Sequence, residues 1–364
     1  MSAEPQALAP DALTEAISQA QNIIQTNVAP LAPGLDVAVA INGKIVWSQG
    51  FGYADLAAKT PVTSRTRFRI GSVSKPLTAA GLALLVERGR IDLDAPVQQY
   101  LPDFPQKEAP ITIRLLAGHL SGLRNYQGNE AFSNKPYPDL RSALKIFEND
   151  PLLSLPGTKF SYSSYNWNVI GAAMESAAKE NFLKYMTEQV FRPLNLTNTV
   201  PDLADATDPQ RTHFYEEDLS GNFIPAPQVD SSYKWPSGGF LSTAEDLANF
   251  GSAMLKPGFL KPQSLKLLFT SQKTLDGTPT KYGLGWFIGR TVLYHEGDAA
   301  GGTSVLFLHP SSHIVVAIVG NRGSFIFKRD SPYLFASRKT DLHTAEVMAA
   351  LKIIKIFAAL PAKS

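Results

Sequence analysis

The chain has 364 residues, of which 44% are hydrophobic and 18% charged, and its formal net charge is +2. That length buries a substantial core in one large domain or two closely joined ones, and the scattered Lys and Arg form no basic block for nucleic acid. With no cysteine, disulfides, zinc–thiolate centres and iron–sulfur clusters are excluded.

In chain order, Asp11 to Asn27 carries Leu13, Ile17, Ala20, Ile23 and Ile24 at helical spacing, which predicts an amphipathic helix. Asp36–Ile41 and Lys44–Gln49 read as strands joined at Asn42-Gly43, a strong hairpin signal. Ser74 to Arg88, rich in Ala and Leu and followed by Gly89, predicts a second helix. From Asp92 to Pro236 helical pieces are cut by proline-rich loops. Ser242-Thr243-Ala244-Glu245 then resembles a capping box opening a helix through Met254. Strands return at Gly285–Gly289, Thr291–His295, Thr303–Leu308 and Ile314–Val319, and a helix from Asp341 to Leu360 closes the chain.

A lone hairpin is marginal, so the early and late strands are expected to join. The resulting fold class is α/β (α+β): a mixed, mainly antiparallel sheet flanked by the terminal helices. Residues 1–90 and 237–364 form this sheet domain, and 91–236 a largely helical inserted domain. The junction is the natural cleft. No apolar stretch reaches the roughly 18–20 residues of a membrane span, and the first residues show neither a basic n-region nor an apolar h-region. The expected compartment is cytoplasmic, or periplasmic or secreted if a cleaved signal precedes the chain.

Ser72-Val73-Ser74-Lys75 is a Ser-x-x-Lys. On a helix these side chains share a face with Cβ atoms about 5–6 Å apart, so an amine of lowered pKa can take the hydroxyl proton. The same spacing recurs at Ser142–Lys145 and Ser231–Lys234. Only the first follows an extended segment, Phe68-Arg69-Ile70-Gly71, and opens a long apolar helix, where free N–H groups also favour an oxyanion. Tyr162 sits in an aromatic cluster with Phe160, Tyr165 and Trp167, a pattern that by itself points to packing. His309 and His313 flank a turn and read as surface, and no phosphate-binding glycine loop or Gly-x-Ser-x-Gly elbow is present.

Five segments in register give these residues a context. Phe68–Lys75, Leu115-Leu116-Ala117-Gly118-His119-Leu120-Ser121-Gly122-Leu123, Phe160-Ser161-Tyr162-Ser163-Ser164 with Gly171, Gly238–Leu247, and Tyr282-Gly283-Leu284-Gly285-Trp286 with His295-Glu296-Gly297 resemble the motifs of one superfamily. It is the serine β-lactamase and penicillin-binding-protein-like superfamily, which includes class C β-lactamases, D,D-peptidases and family VIII carboxylesterases. The resemblance implies that Ser72 is acylated, Lys75 is its base, and Tyr162 relays the proton, its phenolate stabilised by adjacent cations. It implies that His295 orients Tyr162 or a substrate carboxylate, that the Ser72 and Asp298 N–H groups form the oxyanion hole, and that Ser164 and Gly297 bind substrate. Tyr165-Asn166 is a rival for the tyrosine, but Tyr162 has the family's nine-residue spacing to Gly171. His119 is expected to stabilise its own loop.

Two departures are informative. Ser164 stands where the superfamily usually has Asn, and His295-Glu296-Gly297 replaces Lys-Thr-Gly. Both weaken capture of a β-lactam carboxylate. The expected activity is therefore a cofactor-free carboxylesterase on small esters with at most weak β-lactamase activity. Alternatives are a D,D-peptidase, D-aminopeptidase or β-lactamase and, in another class, a non-enzymatic peptide-binding or filament-forming homologue. The expected partner is a small ester or peptide; the oligomeric state is left open.

Overall fold

The computed structural model describes residues 10–204, 207–327, 334–337 and 341–361. Its centre is a seven-stranded sheet. Early strands β1 (Gly34–Ile41), β2 (Lys44–Asp55) and β3 (Thr60–Pro61) join late strands β4 (Phe287–Ile288), β5 (Leu293–Ala299), β6 (Gly302–His309) and β7 (Ile314–Gly320) in the order β3-β2-β1-β7-β6-β5-β4. The junction between early and late chain is the antiparallel β1–β7 pairing, running from Leu35 opposite Gly320 to Ile41 opposite Ile314. At the predicted hairpin, Asn42 (φ 52°) and Gly43 (φ 81°) are both left-handed, as a type I′ turn requires.

β1 is buried along its whole length, and its alternation separates two cores. Leu35, Val37, Val39 and Ile41 point with Ile314, Val316 and Ile318 into one cluster. Helices α1 (Pro10–Asn27) and α5 (Asp341–Ala358) cover that face, through Ala16, Ala20 and Ile24 from one and Ala350, Ile353 and Phe357 from the other. Both terminal helices thus share one face of the sheet. Ala38, Ala40, Val315, Ala317 and Val319 face the opposite way, into the larger core. There they meet helices α2 (Ser74–Glu87), α3 (Ser164–Ala178) and α4 (Ala244–Met254). Burying each Leu, Val or Ile here contributes about 1.5–3 kcal/mol. The apolar residues of β1 therefore tie both layers to the sheet.

The helix opens one residue later than the Ser242–Glu245 box implies: Thr243, not Ser242, is the cap, accepting from the Asp246 N–H at 3.2 Å at the start of α4. The middle of the chain holds more strand than its prolines announce. Tyr215–Asp218 and Phe223–Pro225 form a hairpin, and Tyr215–Asp218 runs parallel to Arg322–Phe327 in a second sheet. These pieces are short and carry Glu216, Glu217 and Asp218, so no apolar alternation marks them. The large sheet is antiparallel between all neighbours, and this second sheet supplies the mixed character. No helix among the described residues is long and apolar enough to cross a membrane.

Asp36 is the polar exception on β1. Its side chain is buried and accepts from the Ala244 N–H at 3.3 Å, at the start of α4. Burial pushes its carboxyl up to about 7, against the lowering effect of that hydrogen bond. The folded protein thus holds a proton that the unfolded chain has already lost between the ordinary carboxylate range and about 7. Stability from this group therefore falls as pH rises through that window and is level above it. Asp36→Asn, which keeps an acceptor for Ala244, is expected to stabilise the protein. In urea denaturation the gain should be small at the acid end of the window and should widen to a few kcal/mol at its upper end; a pH-independent difference would contradict the buried, protonated carboxyl.

Candidate active site

Ser72 lies where a short strand becomes a helix. Phe68–Arg69 pairs with Phe240–Ser242, and the chain turns at Gly71 (φ 46°) before entering α2. Gly71 is required twice over. Its conformation is left-handed, and an added Cβ would meet the Asp298 backbone at 2.6 Å. The same contact places the Asp298 peptide nitrogen beside the Gly71–Ser72 turn. The Asp298 carboxylate accepts from the Ser324 N–H at 3.2 Å, so what this residue offers the turn is its peptide. Gly297 packs its bare Cα against the Ile70 carbonyl and the Ser304 hydroxyl, and Ser304 donates to Ile70 O at 2.7 Å. The edge of β5 is thereby seated against the serine turn.

Lys75, one turn further along, is fully buried. Its Nζ lies 2.8 Å from Ser72 Oγ, 2.8 Å from the Ser237 carbonyl and 3.2 Å from Ser164 Oγ. Burial alone holds its pKa well below the usual lysine value, because desolvation disfavours the charged form. The other two Ser-x-x-Lys pairs are taken up elsewhere. Lys145 is exposed, while Ser231 donates to Asp202 at 3.0 Å and Lys234 to the Ala131 carbonyl at 3.0 Å.

Tyr162 precedes α3 and crosses the cleft. Its hydroxyl faces that of Ser72, and Lys75 Nζ sits 4.9 Å from the centre of its ring. Burial raises its pKa, with the Ser72 hydroxyl opposing that rise. No cation offsets the burial, and the negative charge of Glu296 adds to the rise. The expected phenolate is therefore replaced by a protonated phenol. Tyr165, the rival, stacks on Phe147 at 3.9 Å and donates to Glu130 at 2.8 Å, so its role is packing.

His295 differs most from expectation. It is buried, and its Nδ1 lies 2.7 Å from its neighbour's carbonyl, Glu296 O, to which it must donate. Its Nε2, 3.1 Å from Tyr282 Oη, then accepts the phenol proton. Burial, and next the proximity of Lys75, lower its pKa to about 3. His295 is thus a neutral acceptor bound to Tyr282. It neither hydrogen-bonds Tyr162 nor provides a cation for a carboxylate.

His119 behaves as a loop residue. It adopts φ 58°, and its Nδ1 accepts from the Ser163 N–H and the Asn166 amide, each at 3.2 Å. Its ring lies 4.3 Å from that of Tyr162, backing the phenol. Ser164, expected to meet substrate, is buried with its hydroxyl on Lys75, and its N–H donates to Asn125 Oδ1 at 2.9 Å. The sequence motifs did not single out Ser237, Asn125 or Tyr282 as partners of the site. Tyr282 and Ser237 lie inside or beside recognised segments, yet nothing in their spacing says which way they point. No cluster of three or more His, Asp or Glu with metal-binding geometry occurs among the described residues.

Two outcomes follow from this arrangement. In an NMR pH titration the His119 and His295 imidazole resonances should not shift between about pH 5 and 8; a midpoint near neutrality for either would contradict the neutral assignments. Gly71→Ala should destabilise the protein by about 1–3 kcal/mol from backbone strain alone, as read by chemical denaturation, and more if the Asp298 peptide must move.

Comparison with known proteins identifies the family and the fold. The Beta-lactamase family profile matches residues 20–336. The mitochondrial serine beta-lactamase-like protein LACTB of Homo sapiens is 32% identical over 77% of this chain and 69% of its own length. Protein flp of Staphylococcus aureus is 26% identical over 80% of this chain and 60% of its own length. In fold, the D-amino acid amidase of Ochrobactrum anthropi, solved with D-phenylalanine, superposes with a TM-score of 0.76 at 23% identity, covering 94% of this chain and 99% of that one. FmtA of S. aureus gives 0.76 at 21% identity over 100% of this chain and 94% of that one. With that profile spanning most of its length, the chain belongs to the beta-lactamase family.

Proposed function

We propose that this protein is a serine hydrolase acting through an acyl-Ser72 intermediate, and that its substrates are small carboxylic esters. The observation that carries the reading is the 2.8 Å contact between Ser72 Oγ and the buried amine of Lys75, whose pKa burial holds well below the ordinary lysine value and so toward the neutral form. A neutral amine has a lone pair for the hydroxyl proton. As Ser72 Oγ bonds to the ester carbon, its proton passes to Lys75 Nζ. The negative charge on the carbonyl oxygen is met by the Ser72 and Asp298 N–H groups; each such donor is typically worth about 10²–10³ in rate. The Tyr162 hydroxyl gives its proton to the departing alkoxide and takes the one held by Lys75. Water then attacks the acyl-enzyme and the same transfers run in reverse, releasing the acid and restoring Ser72.

Esters are favoured over β-lactams by what the cleft lacks. His295 is neutral and occupied by Tyr282, so it offers a penicillin carboxylate no charge. Ser164 is turned to Lys75 and presents no carboxamide to an acylamino group. Resemblance in fold to a D-amino acid amidase keeps D-amino-acid amides and D-Ala-D-Ala peptides in the comparison set.

Nitrophenyl acetate and butyrate should be hydrolysed, with Ser72→Ala reducing turnover at least about 10³-fold. Intact-mass analysis should find one fluorophosphonate on the native protein and none on the variant. Full turnover by Ser72→Ala would end the proposal. Faster cleavage of D-Ala-D-Ala peptides or D-phenylalaninamide would move the substrate from esters to amides, and failure of any acyl substrate with no labelling would favour a non-catalytic role.

A further inference from the structure

Asp298 lies at the root of a tight turn. Among the described residues β5 pairs with β4 only at Leu293 and Tyr294, which leaves the rest of that edge to the serine turn. Asp298 stands opposite Thr303 and Ala299 opposite Gly302, so Ala300 and Gly301 form a two-residue loop. Antiparallel pairing aims the peptide groups of alternate residues at the partner strand and at the free edge. The nitrogen and the oxygen of Asp298 both lie 2.6 Å from where a Gly71 Cβ would stand. Asp298 is therefore a residue whose peptide groups face the serine turn.

The loop itself is of a kind that hairpins do not favour. Gly301 is left-handed (φ 69°) and Ala300 is not, the pattern of a type II turn. Two-residue hairpins prefer types I′ and II′, whose twist matches the strands, as at Asn42-Gly43. A type II turn becomes type I when its central peptide rotates, so that peptide needs holding. Two charged side chains hold it. Arg69 Nη1 donates to the Ala300 carbonyl at 2.8 Å, and the Gly301 N–H donates to Glu216 Oε1 at 2.7 Å. The carbonyl and the N–H are the two ends of one peptide unit.

Both side chains are buried and fixed in turn. Arg69 lies three residues before Ser72 on the strand that leads to it. Its Nε donates to Asp202 at 2.8 Å, and its guanidinium sits 4.1 Å from the centre of the Phe214 ring. The bare Cα of Gly301 packs against Phe214 and Ala226, leaving no room for a side chain. We propose that Arg69 and Glu216 are positioning residues, which clamp the Ala300–Gly301 peptide and so hold the Asp298 N–H in the oxyanion hole. The proposal rests on the reading of Ser72 as nucleophile with the Asp298 N–H as an oxyanion donor. It ties the strand that carries the nucleophile to the turn that carries the donor, and it gives the segment from Asp202 to Ala226 a part in catalysis.

The test compares Glu216→Leu, which removes the acceptor, with Glu216→Gln, whose carboxamide oxygen keeps it. Each is assayed on nitrophenyl acetate and on the matching thionoester, in which a weakly accepting sulfur replaces the carbonyl oxygen. In Glu216→Leu, kcat for the oxygen ester should fall about tenfold, part of the roughly 10²–10³ that a whole donor is worth, with KM little changed. Turnover of the thionoester should hardly change, and Glu216→Gln should behave as the native protein does. If Glu216→Leu does not fold, Arg69→Lys, which gives up the fork shared by Asp202 and Ala300, should show the same selective loss. An unchanged kcat, an equal loss on both esters, or an equal loss in Glu216→Gln would overturn the clamp while leaving Ser72 as nucleophile. Full turnover by Ser72→Ala would instead overturn the underlying reading.

Discussion

The site is organised around an amine buried with no carboxylate to neutralise it. Burying an ammonium without a partner costs several kcal/mol, and among the described residues Lys75 forms no ion pair. The cheaper state is the neutral amine, provided that its two N–H groups and lone pair all find partners. Ser237 O, Ser164 Oγ and Ser72 Oγ supply them. Much of the scaffold is arranged to deliver those three oxygens to one point: the turn Gly71–Val73 leading into α2 brings Ser72, α3 brings Ser164, and the turn Trp235–Gly238, anchored to α2 where Thr78 donates to the Pro236 carbonyl at 2.8 Å, brings Ser237.

The same desolvation reaches the neighbouring groups and makes the cleft electrically quiet. Tyr162 keeps its proton, and His295 and His119 stay neutral. Fixed peptide dipoles then act with little competing field. A cleft of this kind offers little fixed positive charge to an anion.

The two-core architecture explains how a cleft this demanding is kept in register. β1 and β7 carry large aliphatic side chains toward the terminal helices and smaller ones, Ala38, Ala40 and Ala317, toward the catalytic side. The small residues let α4 approach closely; Gly251 on that helix lies so near that a Cβ would meet Val315 at 2.7 Å. Terminal helices and sheet thus form a base against which the Ser72 turn is held by Gly71, Gly297 and Ser304.

The amino-acid sequence by itself determined the elements and the chemistry on offer. Helical spacing of apolar residues, the Asn42-Gly43 turn and the capping signal near Ser242 and Thr243 are local, and each depends only on neighbours a few positions away. Ser72 and Lys75 were legible for the same reason, since one helical turn sets their contact. Tertiary structure alone decided the charge states and the directions of the hydrogen bonds. Whether His295 is a cation or an acceptor depends on Tyr282, thirteen residues away across a strand pairing. The company kept by Ser164 depends on Lys75, 89 residues distant in the chain, and on Asn125 from another loop. Burial and hydroxyl orientation depend on everything packed around a group, and no local pattern encodes them.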